Sequence, residues 1–375
     1  MKTAFIYSED FQRFDYGTTH PLKISRLRLT YELINAYGLL SLPDTQYVEA
    51  EAAGDDDLLL FHDREYLEVL KVANVGLEVP NAWVYGLGPG DNPVFRGLLD
   101  WSRIVTGASL RAARMVESGE ADIAFNIAGG LHHAQTSRAS GFCYINDPVI
   151  TISSLLRNGR RVAYIDIDAH HADGVQEAFY DTDKVLTVSI HESGRVLFPG
   201  TGYEDETGIK EGEGYAVNIP MPPASDDELF LYSFYEIVPP LMEKFRPDII
   251  VTQLGVDSFS NDPLTDLNYT NNGFCEAVRK LKEISGKWVA LGGGGYEVSN
   301  VAKAWTHAWA IMNGAEIPPA LPEDFLKRHS HEGFGSERIN DEVYIERGLR
   351  KEHMREEVER VVNYIKEHVF PKVAC

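Results

Sequence analysis

IDIDAHHADG, residues 165–174, decides how this chain is read. Three aspartates and two histidines follow directly on the apolar run VAYI. Buried strands rarely end in so much charge, and charge that stays buried must be paired or bound to a metal. An uninterrupted apolar run marks a parallel strand covered on both faces. Open sheets of that kind bind ligands at the carboxyl ends of their strands. The stretch therefore predicts a fold and a site together.

Similar runs recur on either side: KTAFIY near the start, ADIAFNIA at 121–128, VLTVSIH at 185–191, DIIVTQLGVD at 248–257 and KWVALGGGGY at 287–296. Helix-like segments separate them, among them NDPVITISSLLRNG and SDDELFLYSFYEIVPPLMEKF. Ser225 and Glu228 predict a capping box at the start of the second. NGFCEAVRKLKEISG reads as a further helix, closed by Gly286. Alternating strands and helices predict an α/β domain, a parallel sheet with helices on both faces. The Gly- and Pro-rich stretch 76–95 predicts a long functional loop. Val358, Val361, Val362, Ile365 and Val369 have helical spacing and predict a terminal helix docked on the body. The chain carries no internal repeat or low-complexity tract.

With 375 residues, 44% hydrophobic and 25% charged, the chain fits one large soluble unit. Its net charge of -22 repels nucleic-acid phosphates and anionic membranes, so neither is an expected partner. That charge favours positively charged substrates. Basic clusters such as Lys327–Arg328 are too small for a nucleic-acid patch. Cys143, Cys275 and Cys375 are far apart and form no Cys-x-x-Cys pair, which argues against a thiolate zinc site. Such sparse cysteine suits a reducing, cytoplasmic setting. The first apolar stretch is too short for a signal peptide, and no run approaches a membrane span.

Polar groups gather at the ends of five runs. Gly129, Gly130, His132 and His133 follow 121–128, and Asp166, Asp168 and His170 end 161–168. Ser189 and His191 end another run, Asp257 ends 248–257, and Tyr296 follows LGGGG. Side chains alternate along a strand, so a continuing strand puts Asp166, Asp168 and His170 on one face. Asp168 and His170 are then placed to bind one metal, with Asp257 reaching it from a neighbouring strand. Two carboxylates and one imidazole suit zinc, and also iron(II). Three protein ligands leave positions for water and substrate, the catalytic arrangement. The bland alternative is an acidic loop whose aspartates cap the next helix. Histidines on both sides of the site and a third aspartate weigh against it.

His132 and His133 follow a Gly-Gly turn, where backbone can approach a ligand closely. Asp166 and Asp173 are available partners that would fix each tautomer and raise basicity. GGGG at 292–295 lacks the Lys-Ser/Thr of a phosphate loop and reads as a tight turn delivering Tyr296.

Taken together, THPLKISRLRL, AGGLHHAQTSRASGFCYIND, YIDIDAHHADGVQEAFY, VSIHESGRVLFPGTG, QLGVDSFSNDPL and LGGGGY resemble the zinc-dependent histone deacetylase family, class I-like. YGLGPGDNPVF and IHESGRVLFPGTG point to its bacterial acetoin-utilisation branch, the AcuC type. The resemblance runs from about Tyr7 to about Trp309. It implies one arginase-like α/β domain over 1–375 with a mostly parallel eight-stranded sheet. A core to about 312 and an extension over about 313–375 are expected.

The resemblance makes Asp168, His170 and Asp257 the zinc ligands. His132 and His133 become an acid–base pair backed by Asp166 and Asp173, and Tyr296 the donor to the substrate carbonyl. Phe142 and Phe198 become the aromatic walls of an acyl-lysine tunnel, with Gly141 beside them. Leu264 matches an apolar rim residue and Asp91 the rim carboxylate that holds the substrate backbone. Arg26 matches the arginine of an internal acetate-exit channel. Two structural sites for potassium or sodium are implied too. One uses Asp166, Asp168, His170, Ser189 and Ile190, the other Phe179, Thr182, Val185 and Tyr215. Ala172 departs from the glycine of many relatives, and an ordinary backbone conformation is expected there.

The implied activity is zinc-dependent removal of acetyl, or another short acyl group, from lysine side chains. Acylated proteins or peptides are the implied partners, an acyl-CoA synthetase among them. Zinc held by two carboxylates is formally neutral and acidifies its water less than a three-histidine site does. A general base is then needed, which the histidines supply. An acetylpolyamine amidohydrolase would use the same chemistry on a diamine, with an insertion that this sequence lacks. An arginase-type hydrolase would need a second metal. A non-catalytic acyl-lysine binding protein would have lost Tyr296 or a ligand. Between His132 and His133, the sequence does not assign base and acid.

Overall fold

A computed structural model of the chain describes residues 1–334, 337–342 and 344–374. Eight strands run in chain order: β1 Thr3–Tyr7, β2 Thr45–Glu49, β3 Ile123–Asn126, β4 Val162–Asp166, β5 Val185–Glu192, β6 Ala216–Met221, β7 Ile249–Gln253 and β8 Trp288–Leu291. They form one sheet in the order β2-β1-β3-β8-β7-β4-β5-β6. Every pairing is parallel. All but β2 are buried along their whole length, which is why their apolar runs do not alternate.

The α-helices are α1 Ser25–Ala36, α2 Asp55–Leu58, α3 Arg64–Asn74, α4 Leu98–Ser118, α5 Asp147–Arg157, α6 Asp173–Phe179, α7 Asp227–Phe245, α8 Asn271–Ile284, α9 Val298–Asn313, α10 Glu323–His329 and α11 Leu349–His368. Two layers result. In one, α3, α4, α5 and α6 pack side by side; in the other, α1, α9, α8, α7 and α11 do. A buried indole ties the second layer to the sheet: Trp305 Nε1 on α9 donates to the Leu254 carbonyl after β7 at 2.8 Å, while Trp288 Nε1 links β8 to Thr252 Oγ1 on β7 at 2.9 Å.

Two strands carry no obvious apolar run. β2, TQYVE, is a half-exposed edge strand, and β6, AVNIPM, contains Pro220, which an edge strand tolerates. β6 is covered by α11, whose Val358, Val361, Val362, Ile365 and Val369 are buried. Covering an edge in this way blocks pairing with another chain.

Local details depart from the sequence reading. α7 is capped by Asp226, whose carboxylate accepts from Leu229 N at 3.3 Å, not by Ser225. Ser225 Oγ instead donates to the Pro222 carbonyl at 2.6 Å, and Glu228 pairs with Arg355 on α11. α8 ends at Ile284 with Ser285 as its cap, so Gly286 lies beyond it. The 76–95 loop contains a 3₁₀ turn, Ala82–Tyr85. Ala172 has φ -76 and ψ 59, outside the left-handed region but neither helical nor extended, so only the negative φ of the expected conformation is met. Cys143 and Cys275 are buried free thiols, and Cys375 lies outside the described residues. Among the described residues no helix is long and apolar enough to cross a membrane.

Candidate active site

The strand order does the first work. β3, β8, β7, β4 and β5 are consecutive in the sheet, so the five decorated strand ends open onto one place.

After β3 the chain turns at Gly129 and Gly130, the latter at φ 94. Buried Asp147 at the start of α5 holds this turn, accepting from Gly130 N at 3.1 Å and Leu131 N at 2.9 Å. The turn aims His132 and His133 inward, and both are buried. His132 Nδ1 lies 2.8 Å from Asp166 Oδ2, which also accepts from the Tyr164 hydroxyl at 2.5 Å. His133 Nδ1 lies 2.7 Å from Asp173 Oδ1, while Gln135 Nε2 donates to Asp173 Oδ2 at 3.1 Å. The two Nε2 atoms are 3.0 Å apart, so one shares its proton with the other. Burial opposes charge on both rings, but Asp166 and Asp168 hold His132 up at about 9. Burial, helped by the charge of His132, pushes His133 down to about 4. The carboxylates thus favour the charged form of His132, and burial the neutral form of His133.

β4 ends at Asp166, so Asp168 and His170 do not share a strand face with it. They sit in the loop that follows, each with backbone N–H bonded to the carboxylate two residues earlier, at 3.0 Å. This chain of short turns keeps the side chains together where the ladder has stopped. Asp257 arrives from the loop after β7, and its Oδ1 accepts from Ala169 N at 2.8 Å. Asp168, His170 and Asp257 are all buried, with one ligand atom from each within 4.8 Å of the others. His170 Nδ1 is 3.1 Å from Asp168 Oδ1 and 3.0 Å from Asp257 Oδ2.

The residues present fit a divalent cation. Burial, then the charge of Asp168, pushes Asp257 up to about 7. Against the penalty of burial, hydrogen bonds to Asp168 and Asp257 lift His170 to about 10. The charges of His132 and His170 hold Asp168 well below the usual carboxylate range despite burial, and a bound cation would relieve the opposed ionisation of Asp257 beside it. The third side of the space is bare backbone. A Cβ on Gly294 would fall 2.1 Å from Asp257 Oδ2 and 2.7 Å from Asp168 Oδ2. Gly294→Ala is therefore expected to lower metal affinity by at least ~10-fold, the scale of displaced ligand supports. Equilibrium dialysis against a metal buffer measures it, and unchanged affinity would refute this packing.

Tyr296 follows the glycine turn, and its backbone N–H donates to Asp262 Oδ2 at 2.8 Å. Burial, then the charges of Asp257 and Asp168, holds its phenol well above the ordinary tyrosine value, so it stays a donor. Its ring meets Phe142 edge-on at 5.6 Å. Phe142 has φ 69 and follows Gly141, which packs against the His133 ring. Phe198, from the loop after β5, lies edge-on to His133 at 5.1 Å. The pocket these residues enclose has a volume of ≈ 20 Å³, where Leu22, Cys143 and Arg26 join His132, Asp168 and Tyr296 in the lining. Arg26 is buried there, with Nη1 donating to the Gly295 carbonyl at 2.9 Å and Nε without a partner among the described residues.

The other expected residues lie on several elements, Val185 and Tyr215 at the amino-terminal ends of β5 and β6, away from the decorated strand ends. Leu264 is half-buried, its N–H held by Asp262 Oδ1 at 3.1 Å. Asp91 is exposed, its carbonyl 3.2 Å from His20 Nε2. Ser189 and Ile190 are buried on β5 beside β4, and Ser189 Oγ is 2.8 Å from His191 Nδ1. Phe179 ends α6, Thr182 follows it and Val185 opens β5. The Tyr215 hydroxyl is occupied by Ala374 N at 2.9 Å. A larger cavity, ≈ 800 Å³, lies elsewhere, between α7 and α8 at the amino-terminal ends of β7 and β8.

Residues 20–312 match the model of the histone deacetylase domain. The chain belongs to the histone deacetylase family. It is 41% identical to histone deacetylase B of Dictyostelium discoideum over 334 residues, 88% of this chain and 78% of that one. It is 40% identical to the acetoin utilization protein AcuC of Bacillus subtilis (strain 168) over 332 residues, 86% and 85% of the two chains. Its fold matches the crystal structure of a deacetylase homologue from Aquifex aeolicus with TM-score 0.88 and 35% identity, covering 98% and 100%. A deacetylase homologue solved in complex with SAHA matches equally well. Membership in the deacetylase family supports a hydrolase that removes acetyl groups.

Four residues of this deacetylase site escape a reading of motifs. Gln253 at the end of β7 donates to Asp168 Oδ2 at 2.5 Å, and Tyr164, Gln135 and Asp262 act as described above. Gln253 and Tyr164 were visible only as polar interruptions of apolar strands. Gln135 and Asp262 carry no periodic signal, because loop residues have no strand or helix period to break.

Proposed function

We propose that this chain hydrolyses acetyl and other short acyl groups from lysine side chains of proteins or peptides, using zinc. The observation that carries this reading is the convergence of Asp168, His170 and Asp257 beside two histidines, each backed by its own carboxylate. Asp168, His170 and Asp257 would hold the zinc, which when bound polarises the acyl carbonyl and acidifies water.

Phe142 and Phe198 flank the route inward and shield the lysine methylenes from water. His133, neutral and packed between Gly141 and Phe198, takes a proton from the attacking water as general base. Asp173 fixes its tautomer and stabilises the imidazolium that results. His133 then returns the proton to the departing amine. His132 stays cationic on Asp166 and keeps positive potential under the developing oxyanion. Tyr296 donates to that oxygen.

The pH dependence follows with a definite sign. The base must be neutral, so activity is lost as pH falls through the lowered value of His133, about 4. The cation must persist, so activity is lost as pH rises through the raised value of His132, about 9. A kcat/KM profile is expected to have its acid limb below the ordinary imidazole range. An acid limb at or above pH ~6.5 would reverse the assignment of the two rings.

The activity itself is tested with an acetyl-lysine peptide, with and without chelator, beside acetylputrescine. Chelator-sensitive release of acetate from the peptide supports the reading. Cleavage of acetylputrescine alone would move the assignment to a polyamine amidohydrolase.

A further inference from the structure

Asp262 is buried, at 6% exposure, and its two carboxylate oxygens serve two segments. Oδ2 accepts from Tyr296 N at 2.8 Å and Oδ1 from Leu264 N at 3.1 Å. One side chain therefore holds the backbone of the oxyanion donor and that of a rim residue.

The donor needs such a hold. Tyr296 directly follows Gly292–Gly295, a run with no side chain to anchor it. Gly293 and Gly295 have φ 139 and 140, which only glycine adopts readily. A Cβ on Gly293 would fall 2.3 Å from Gln253 Nε2, and one on Gly295 2.6 Å from Val301 Cγ2, so bulk cannot stiffen the run. Hydrogen bonds fix it instead. Val256 N donates to the Gly294 carbonyl at 3.0 Å, Gly294 N to Asp168 Oδ2 at 2.8 Å and Arg26 Nη1 to the Gly295 carbonyl at 2.9 Å. These hold the glycines, whereas Asp262 holds Tyr296 itself.

Asp262 is braced in turn. Its N–H donates to the Phe259 carbonyl at 2.9 Å, and Thr265 Oγ1 closes the loop onto the Asp257 carbonyl at 2.6 Å. Asn261 Oδ1 accepts from Asn300 Nδ2 on α9 at 2.6 Å. The loop so fixed begins at the candidate ligand Asp257.

We infer that Asp262 is a positioning residue: by tying the Tyr296 backbone to the Asp257 loop, it sets the phenol hydroxyl at the substrate oxygen in register with the metal site. The competing role is purely structural, since a carboxylate near the first turn of α9 also steadies that helix.

This rests on the deacylase reading, and a double-mutant cycle tells the two apart. Asp262→Asn keeps the shape but leaves one carbonyl oxygen for two N–H groups and sets an amide NH₂ against the other. Parent, Asp262→Asn, Tyr296→Phe and the double variant are compared as zinc-loaded full-length proteins on an acetyl-lysine peptide. Asp262→Asn is expected to lower kcat roughly 10- to 100-fold, the scale of a small misplacement of a reacting group, with KM changed by less than about twofold. Zinc content should match the parent's. In the Tyr296→Phe background the same substitution should cost less than about threefold, because the hydroxyl it misplaces is already gone. Asp262→Ser, smaller and with one acceptor, is carried through the same cycle, so the result does not hang on one variant's folding. A loss of equal size with and without the Tyr296 hydroxyl overturns the inference. So does a loss that only follows a lowered melting temperature or missing zinc. If the parent is active but Tyr296→Phe keeps the parent kcat, the donor role and this inference fall while the deacylase reading stands. A parent that cleaves no acetyl-lysine peptide overturns that reading, and the inference with it.

Discussion

His170→Ala is expected to abolish metal binding and hydrolysis together. The imidazole lies between Asp168 and Asp257, about 3 Å from a carboxylate oxygen of each, and no other histidine can replace it there. His132 Nε2 is 3.9 Å from Asp168 Oδ1, but its ring is committed to Asp166. With the imidazole gone, two buried carboxylates face each other across a bare gap, and Asp257, already pushed up to about 7, retains a proton. One carboxylate and one carboxylic acid make a poor site for a borderline-soft cation. Hydrolysis should fall at least ~10³-fold, since both carbonyl polarisation and water acidification are lost. Elemental analysis of purified protein, beside kcat/KM on an acetyl-lysine peptide, measures both quantities. Stoichiometric zinc in the variant would refute the ligand assignment.

Tyr296→Phe isolates one hydrogen bond. The Tyr296 backbone is held by Asp262, and its ring packs against Phe142, while its hydroxyl makes no hydrogen bond among the described residues. Removing that oxygen leaves the packing and orphans no partner, so the melting temperature and zinc content should stay near the parent's. The hydroxyl meets the substrate oxygen chiefly as charge develops there, so the loss belongs in kcat rather than KM. A fall of about 10²–10³ in kcat is expected, as for other lost oxyanion donors. Steady-state kinetics and a thermal melt on one preparation decide the matter. A variant with near-parent kcat, or one that loses activity only by unfolding, would remove Tyr296 from the reaction.

Much of this was legible along the chain, and the limits have physical causes. Six of the eight strands announce themselves because strands buried on both faces must be apolar at every position, a local property. β2 does not, because a half-exposed edge strand tolerates Gln and Glu, and β6 does not, because an edge strand tolerates Asn218 and Pro220 even when a helix covers it. The candidate ligands were legible by type, since charged residues behind an apolar run are rare. Their geometry was not. A continuing strand would have set Asp166, Asp168 and His170 on one face, but β4 ends at Asp166. What brings Asp168 and His170 to Asp257 is a set of hydrogen bonds from backbone N–H groups and from Gln253, whose partners lie up to 126 residues away.

The two histidines show the division most clearly. Adjacent in sequence and chemically identical, they are indistinguishable there. In the folded chain one faces two carboxylates and the other one, so the carboxylates favour the charged form of the first while burial favours the neutral form of the second. Residue types and the parallel α/β architecture are properties of the sequence by itself, because burial and strand period are read off neighbours. Which residue does what was decided only by tertiary structure, because a pKa, a metal gap and a tunnel wall depend on distances that no local pattern encodes.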